Sequence, residues 1–422
     1  MTTARSGIKA FGLTLIQPPS AAGKFYFSDG TGALRSRGRA VLGSGRFETF
    51  SDLRDIGELA ALLEAVRPGQ VMLWGTATVN SGVIAPQDAD TPGSLTRSPD
   101  VFARRGAVAV IAFDYDPPAG GPLLDREGYA SFLGSAGFDG DLLIRESTSA
   151  LIFKGDEMLK GPGGIRALGL VSPAVAVTPV LDRIMLRGWL AGFGHIRISE
   201  SGAALVRGPV DRAMANSAQP DFAPGGALLG EGLEQRRPPW TLHAGDRRAL
   251  DYGAFRRGFH PSEVRKYDAL VARAKLAARP EMEDVTAAWL AARREDRIEA
   301  AMRADGCDRE TAMARVGTAA ADRRLMAARG GGSLGGDFVL HVQMPREGVV
   351  KVTVAQVLAD RTRFHGRRIR EPMEPGYADG QTTGKLLLDG NRPVAVAWAH
   401  GQKTFTLSKS TRSTAARNGR PS

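Results

Sequence analysis

The chain has 422 residues, enough for two or three domains with at least one substantial hydrophobic core. Its formal net charge of +11 favours a polyanionic partner, although an arginine-rich sequence with solvated faces would give the same excess. The single cysteine, Cys307, excludes an internal disulfide framework and a cysteine-based zinc site, and the lack of an apolar run of about 20 residues predicts a soluble cytoplasmic protein with no membrane partner.

The first part of the chain alternates between strand-like and helix-like patterns. Short apolar runs bounded by Gly, Asp or Pro predict strands, and longer periodic segments predict helices, one of them with Ser51 as its N-cap. These segments are FGLTLIQ, GKFYFSDG, SDLRDIGELAALLEAV, QVMLWGTA, AVAVIAFDYD, DLLIREST, VTPVLDRIMLRGWLAGF, HIRIS and AALVRGPVD. Together they predict an α+β domain over residues 1–235, with an acid-bearing strand near its middle.

The rest of the chain has a different character. Ala-rich segments with interleaved Arg and Glu at helical spacing predict helices, broken at Pro280 and Gly306. The segments expected after the first domain are a helical accessory region (236–329), a flexible Gly-rich linker (330–336), a small C-terminal α/β module (337–407) and a basic disordered tail (408–422).

The strand AVAVIAFDYD ends in two carboxylates, Asp114 and Asp116, and two prolines follow it. Side chains at i and i+2 of a strand share a face, so these carboxylates repel each other unless a cation lies between them. Mg²⁺ or Mn²⁺ would accept such hard oxygen ligands, and Asp211 at the end of a later strand-like segment is the third candidate ligand. Taken alone, the pattern also fits two exposed loop acids that bind no ion.

The succession LTRSPDVF, AVAVIAFDYDPP, REST-S and RGWLAGFGHIRISESGAALVRGPVDRA resembles the archaeo-eukaryotic primase superfamily. The likeness is closest to the primase-polymerases of phages and integrative elements, and it covers residues from about 10 to 235. It implies a primase-polymerase-like catalytic domain, an RRM-like mixed sheet with flanking helices. In that resemblance, Asp114 and Asp116 correspond to the first-motif metal ligands and Asp211 to the third-motif acid.

The resemblance also implies an activity and its partners. The activity is template-directed, two-metal-ion nucleotide addition on single-stranded DNA, from nucleoside triphosphates and with Mg²⁺ or Mn²⁺, in the replication of a phage or mobile element. Many relatives carry a ring helicase after this region, so a separate replicative helicase is an implied partner.

The second motif of the superfamily ends in a histidine that contacts the nucleotide phosphates, and RESTSALIFKGDEMLKGPGGIRALGLV contains no histidine. By its position in the strand, Arg166 is the expected replacement. Arginine binds phosphate oxygens bidentately, but it cannot donate and accept a proton near neutral pH. The other predicted nucleotide-binding residues are Arg145, Ser147, Ser149 and Lys160.

The segment RFHGRRIR, residues 363–370, places four arginines beside a phenylalanine and a histidine. Phosphate contacts combined with aromatic stacking bind single strands without sequence preference. A solvated loop is the open alternative for this composition. The candidate nucleic-acid contacts are Arg363, Phe364, Arg367, Arg368 and Arg370.

The missing histidine leaves a second hypothesis, a catalytically degenerate primase-like protein that binds single-stranded DNA or loads a replisome. A metal-dependent nuclease built on the same acids is a third, because phosphoryl transfer to water uses similar ions. The segment GQTTGKL is one residue too short for a phosphate-binding loop, and the chain has no His-x-His pair. An ATPase motor and a rolling-circle nickase are therefore excluded.

Overall fold

A computed structural model describes residues 9–39, 43–85, 91–118, 120–399 and 403–409, and these form a mixed α+β protein. The chain divides into two compact units, one of Met1–Ile196 with Val206–Ala274 and the other of Arg197–Leu205 with Lys275–Ser422. Among the described helices, none is long and apolar enough to cross a membrane.

Strands and helices of both short and moderate length build the first unit. Its strands are β1 (Phe11–Gln17), β2 (Gly23–Ser28), β3 (Leu34–Arg39), β4 (Gly45–Leu53), β5 (Val71–Leu73), β6 (Ser81–Ile84), β7 (Ala109–Tyr115), β8 (Leu142–Glu146), β9 (Ile152–Lys154), β10 (Glu157–Lys160), β11 (Ile165–Ser172), β12 (His195–Ile198), β13 (Ala204–Arg207), β14 (Leu228–Leu229), β15 (Leu233–Gln235), β16 (Thr241–His243) and β17 (Leu250–Asp251). Its helices are α1 (Ile56–Ala65), α2 (Arg126–Ser135), α3 (Val177–Leu190), α4 (Tyr252–Arg257) and α5 (Pro261–Ala277). The β12–β13 hairpin has its tip, residues 197–205, in the second unit, and the unit boundary falls near the end of α5.

A central sheet organises the first unit. Its order is β16-β8-β11-β7, and β17 pairs in parallel with the end of β11. Strands β7 and β11 are buried along almost their whole length, in a core that also contains residues of α1, α2 and α3. Continuous apolar strands are typical of sheets covered on both faces. Strands β16 and β17 lie beyond residue 235, so the first unit extends past the predicted domain boundary.

The other described strands of the first unit form the β12–β13 hairpin and sheets with the strand orders β5-β1-β4-β6, β14-β2-β3 and β10-β9-β15. These last three are called the first, second and third small sheets. The second and third share a small core that contains Tyr26, Ile152 and Ala227. The hairpin β2–β3 therefore has one face buried against a neighbouring sheet and one face turned away from it.

The start of α1 differs from the prediction. Strand β4 continues to Leu53, which pairs with Phe11 of β1, so Ser51 lies in a strand and does not cap the helix. Asp55 is the N-cap, and its carboxylate accepts the N–H groups of Gly57 and Glu58 at 2.8 and 2.9 Å. The β1–β4 ladder takes the residues that would otherwise begin the helix.

The second unit combines long helices with one sheet. Its helices are α6 (Arg279–Asp305), α7 (Arg309–Val316), α8 (Ala319–Ala328), α9 (Val354–Ala359) and α10 (Arg361–Phe364), with a further short turn at Tyr377–Gly380. Its strands are β18 (Gly332–Leu334), β19 (Val339–Met344), β20 (Gly348–Thr353), β21 (Arg368–Ile369), β22 (Gly384–Leu387), β23 (Val394–Ala397) and β24 (Lys403–Leu407), in the order β18-β24-β23-β22-β21-β19-β20.

Both helix breaks predicted in this region are confirmed. Pro280 lies in the first turn of α6, where the missing N–H has no partner to lose. Gly306 ends α6 in the left-handed conformation, with φ of +62° and its N–H donating to Met302 O.

The glycine-rich segment 330–336 is not a free linker. Gly332–Leu334 forms β18, which pairs in parallel with β24, and Leu334 is buried. The φ values of +112° at Gly331 and +136° at Gly332 are ones that glycine tolerates, so the glycines shape the entry to an edge strand. Of the predicted tail, residues 410–422 lie outside the described residues.

Candidate active site

The two acids of the DxD pattern lie on one face of the central sheet. Asp114 is the second-last residue of β7, and Asp116 follows the strand. Tyr115 between them stacks its ring on Tyr129 of α2, with centroids 5.4 Å apart. Strand alternation therefore directs Asp114 and Asp116 to the face opposite Tyr115.

Arg166 is the cation next to Asp114. It lies on β11 opposite Asp114 in the antiparallel register, and it is only 7% exposed. Its Nη2 lies 3.3 Å from Oδ2 of Asp114 and 3.2 Å from Oδ1 of Asp221. Burial alone would lower the pKa of Arg166, but the two carboxylates raise it above its ordinary value, so the guanidinium stays charged. Arg166 thus bridges two carboxylates, while its buried Nε and Nη1 have no hydrogen-bond partner among the residues that the structure describes.

Asp221 is a member of this cluster that the sequence did not predict. It is 2% exposed, and its backbone exchanges hydrogen bonds with Met72 of β5, both at 2.9 Å. The Oδ1 atom that faces Arg166 also accepts the N–H of Ala223 at 2.9 Å. In the sequence QPDFAPGG, Asp221 resembles an ordinary loop acid. Its pairing with β5 is a long-range contact that a local sequence pattern does not predict.

The electrostatics of Asp114 link all the acids of the cluster. Burial raises the pKa of Asp114 to about 7, Arg166 opposes that rise, and the charges of Asp116, Asp221 and Asp211 add to it. The charge of Asp211 thus acts on Asp114, and the role of Asp211 as a third metal ligand stays a prediction. Its carboxylate also caps the short 3₁₀ turn that follows, accepting the N–H of Ala213 at 2.9 Å.

Hydroxyl groups lie next to Asp116. Ser147 is buried, its Oγ lies 3.0 Å from Oγ of Ser149, and its N–H donates to Gly164 O at 2.8 Å. A Cβ atom at Gly164 would lie 2.9 Å from Oδ1 of Asp116 and 3.0 Å from Oγ of Ser147. Glycine at this position therefore lets an acid and a hydroxyl approach the same stretch of backbone.

Two lysines lie near these hydroxyl groups, around the ring of Tyr26. The Nζ atoms of Lys24 and Lys160 lie 5.5 and 5.9 Å from the ring centroid. Burial raises the pKa of Tyr26, the charge of Lys160 and the nearby Ser149 side chain oppose that rise, and the charge of Asp116 adds to it. Three of the predicted nucleotide-binding residues, Lys160, Ser147 and Ser149, thus lie in one region. Lys24 and Tyr26 lie there as well, and the strand pattern of GKFYFS could not identify them as site residues.

Arg145 is adjacent to Arg166 in the register of β8 and β11, but its charge is engaged elsewhere. Its Nη1 lies 3.4 Å from Oε2 of Glu64 on α1, and its Cζ lies 5.9 Å from the ring of Trp240. Burial lowers the pKa of Arg145, and Glu64 and Glu146 oppose that shift. The structure thus does not bring Arg145 to the Asp114 carboxylate.

The candidate nucleic-acid segment 363–370 lies in the second unit and is partly used for packing. Phe364 is 4% exposed in the core, so the prediction of Phe364 as a stacking surface is wrong. Several arginines bond to nearby groups: Arg363 Nη2 to Glu347 Oε1 at 3.1 Å, Arg367 Nε to Arg363 O at 3.1 Å, and Arg368 Nη2 to Thr382 O at 3.0 Å. The guanidinium of Arg370 lies against Gly380, where a Cβ atom would be 2.8 Å from its Cζ.

The residues fit a divalent ion in part. Asp114 and Asp116 offer hard carboxylate oxygens, and Mg²⁺ usually binds through one or two carboxylates together with substrate phosphates. Within the described ranges, however, no three His, Cys, Asp or Glu side chains converge closely enough to hold a metal ion. The chemistry of the Asp114 and Asp116 carboxylates therefore suits Mg²⁺ or Mn²⁺.

Comparison of the chain with protein-family models, with curated proteins and with solved structures finds no match in any of the three.

Proposed function

We propose that the chain is a metal-dependent nucleotidyltransferase of the primase-polymerase type, acting on single-stranded DNA. The observation that carries the proposal is the position of Asp114 and Asp116 at the end of β7, beside the hydroxyls and lysines around Tyr26. Nucleotidyl transfer needs both kinds of subsite, because carboxylates attract the metal ions and basic or hydroxyl groups attract the triphosphate.

Each group has a specific part in this proposal. Asp114 and Asp116 would hold the metal ion, which when bound supplies charge stabilisation to the attacking and leaving oxygens. Lys24 and Lys160 would bind the triphosphate as flexible ammonium donors, together with the hydroxyls of Ser147 and Ser149. A metal ion would also keep Asp114 ionised, since a bound cation lowers the pKa of its carboxylate.

Arg166 would act as a fixed counter-charge. Its two ion pairs occupy the guanidinium within the protein, so the direct triphosphate contact expected from the sequence is less favoured than neutralisation of Asp114 and Asp221. An arginine cannot transfer protons near neutral pH, and proton movement would therefore depend on water or substrate groups.

The test is primer synthesis and extension on single-stranded DNA with labelled nucleotides and Mg²⁺ or Mn²⁺, resolved by length on a gel. The Asp114→Ala/Asp116→Ala variant should lose all product. The matched control is Asp52→Ala, which removes an exposed carboxylate of β4 that pairs with Arg54 at 3.0 Å, and it should keep wild-type activity. Shortening of the DNA without any extension would contradict the polymerase proposal and favour the nuclease.

A second candidate is a primase-like protein that binds single-stranded DNA, or loads a replisome with a separate helicase, without synthesis. The observation in its favour is that Arg166 already supplies a cation to Asp114. In the same assay this protein would give no product with either ion. Its affinity for single-stranded DNA would be unchanged by Asp114→Ala/Asp116→Ala.

A further inference from the structure

The outer face of the β2–β3 hairpin carries two phenylalanines, and the guanidinium of Arg37 contacts both rings. Phe25 pairs with Arg37 and Phe27 with Arg35 across the two strands. The rings of Phe25 and Phe27 are stacked, with centroids 5.7 Å apart and planes 17° from parallel. The Cζ of Arg37 lies 5.3 Å from one ring centroid and 5.4 Å from the other.

Strand alternation separates this face from the candidate active site. Tyr26, between the two phenylalanines, is 2% exposed and turns inward to the core it shares with Ile152. Phe25 and Phe27 are only half-buried, and Arg37 is exposed. One face of this short hairpin therefore contributes Lys24 and Tyr26 to the candidate active site. The other face is a cationic, aromatic surface.

The charge of Arg37 is available to a partner. Among the described residues, Arg37 forms no ion pair and no hydrogen bond, whereas its neighbour Arg35 binds Asp29 with an Nε to Oδ2 distance of 2.8 Å. A guanidinium held over aromatic rings without a carboxylate can bind a phosphate, and its plane can also stack on a base.

We infer that Phe25, Phe27 and Arg37 form a binding surface for single-stranded nucleic acid, the rings and guanidinium plane stacking on bases and the charge binding phosphate. Stacking platforms combined with positive charge bind single strands in this way, independently of sequence. The net charge of +11 supports a polyanionic partner over a protein or a neutral surface. The identity of the partner rests on the proposed function. The inference adds the surface on which the single strand is bound.

The neighbouring sheet supplies a matched control. Arg236 lies over the ring of Phe153 with a Cζ to centroid distance of 4.6 Å, so the geometry is similar. Its charge, however, is paired with Glu234 and lies 3.9 Å from Oδ1 of Asp156. Phe153 and Arg236 therefore combine ring and guanidinium without a free positive charge, and this pair is not expected to bind phosphate.

The experiment measures fluorescence anisotropy of labelled oligothymidylate, oligouridylate and duplex DNA without nucleotides or divalent ions. Phe25→Ala/Phe27→Ala should weaken single-strand binding about tenfold or more, while duplex binding changes little. Arg37→Gln should weaken it less and reduce the slope of log affinity against log salt by about one. Phe25→Tyr/Phe27→Tyr, which keeps both rings, should bind as wild type does, and Phe153→Ala and Arg236→Gln should do the same.

Circular dichroism and urea unfolding establish that each variant is folded. A folded Phe25→Ala/Phe27→Ala protein with wild-type affinity would overturn the inference, and so would an equal loss in Phe153→Ala. Equal losses for single strands and duplex would also overturn it, because bases in a duplex cannot stack on the rings. Concentration-dependent sedimentation that vanishes in the double alanine variant would instead assign the face to a second copy of the chain.

The two proposals fail in different ways. A wild-type protein that binds neither oligothymidylate nor oligouridylate would overturn both the proposed function and this surface. Primer synthesis by the wild type, with unaltered strand binding in the double alanine variant, would overturn only the surface.

Discussion

The β2–β3 hairpin and the segment 363–370 contain the same residue types and place them in opposite ways. In the hairpin, Phe25 and Phe27 lie on the outer face beneath the exposed Arg37. In the segment, Phe364 is buried in the core of the second unit and nearby arginines bond to protein oxygens. Of these two regions, the hairpin is the one in which the phenylalanines lie at the surface beside an arginine that no carboxylate neutralises among the described residues.

The difference follows from secondary structure, not from composition. Strands β2 and β3 alternate, so every second side chain reaches the same face and the cross-strand partners of the phenylalanines are arginines. Phe364 ends the four-residue helix α10, and that helix turns its one large apolar residue into the core. A high density of arginine therefore indicates a binding surface less reliably than the register that arranges the charges.

The largest expected difference between the hairpin and the segment 363–370 is in the free energy of unfolding that their phenylalanines contribute. Phe364→Ala should lower the free energy of unfolding by about 3–5 kcal/mol, because it removes a fully buried ring from the core. Phe25→Ala should cost clearly less, since that ring is half-buried. Urea unfolding followed by circular dichroism measures both, and an equal loss in the two variants would remove the distinction between core ring and surface ring.

A second large effect distinguishes the arginines. Arg166→Met should destabilise the protein by about 3–5 kcal/mol, because Asp114 and Asp221 would be left without their buried counter-charge. Arg368→Gln, at an exposed arginine bonded to Thr382, should change stability by about 0.5 kcal/mol or less. Urea unfolding midpoints at constant pH compare the two variants. An Arg166→Met protein as stable as the wild type would mean that the ion pairs of Arg166 with Asp114 and Asp221 contribute nothing to folding.

The buried Asp114 of the first unit should make the stability of the protein depend on pH. In the absence of divalent ions, Asp114 has a folded-state pKa of about 7, raised by burial from the ordinary value of 3.8. The folded state therefore binds the Asp114 proton more tightly than the unfolded state does, and this protonation stabilises the fold. The stabilisation is complete below pH 3.8 and is lost as the pH rises through about 7.

Asp114→Asn should therefore flatten this fall, and its stability relative to the wild type should improve as the pH rises from 4 to 8. Urea unfolding across the pH range, with chelator present, measures the profile. Asp52→Asn is the control for an exposed carboxylate and should retain the wild-type shape. A wild-type profile that is unchanged by Asp114→Asn would contradict the raised pKa.

The sequence anticipated local features of the site better than long-range ones. Strand position led to Arg166, which lies beside Asp114 in the register of β11 and β7, whereas its predicted contact with the nucleotide phosphates stays a prediction. Asp221 could not be found, because its place in the cluster depends on a backbone bridge to Met72. Contacts between residues distant in sequence are set by the packed fold, which a local pattern does not contain.

The same limit explains the errors in the fold. Glycines at 330–336 suggested a linker, yet β24 offers an edge with which Gly332–Leu334 pairs. Ser51 suggested a helix cap, yet the β1–β4 ladder extends past it. The mixed α+β class and the breaks at Pro280 and Gly306 were predictable because they depend on local periodicity and backbone conformation.

The smallest expected effect is the most direct test of the comparison. Arg367→Gln/Arg368→Gln removes two charges from the segment 363–370, whereas Arg37→Gln removes one from the hairpin. Because Arg367 donates to Arg363 O and Arg368 to Thr382 O, the double variant should change single-strand affinity less than Arg37→Gln does. Anisotropy titrations at several salt concentrations measure both affinity and salt slope. If the double variant reduces the salt slope by about two and Arg37→Gln leaves it unchanged, phosphate binds the segment 363–370 and not the hairpin. The density of arginines would then predict the binding surface better than the strand register does.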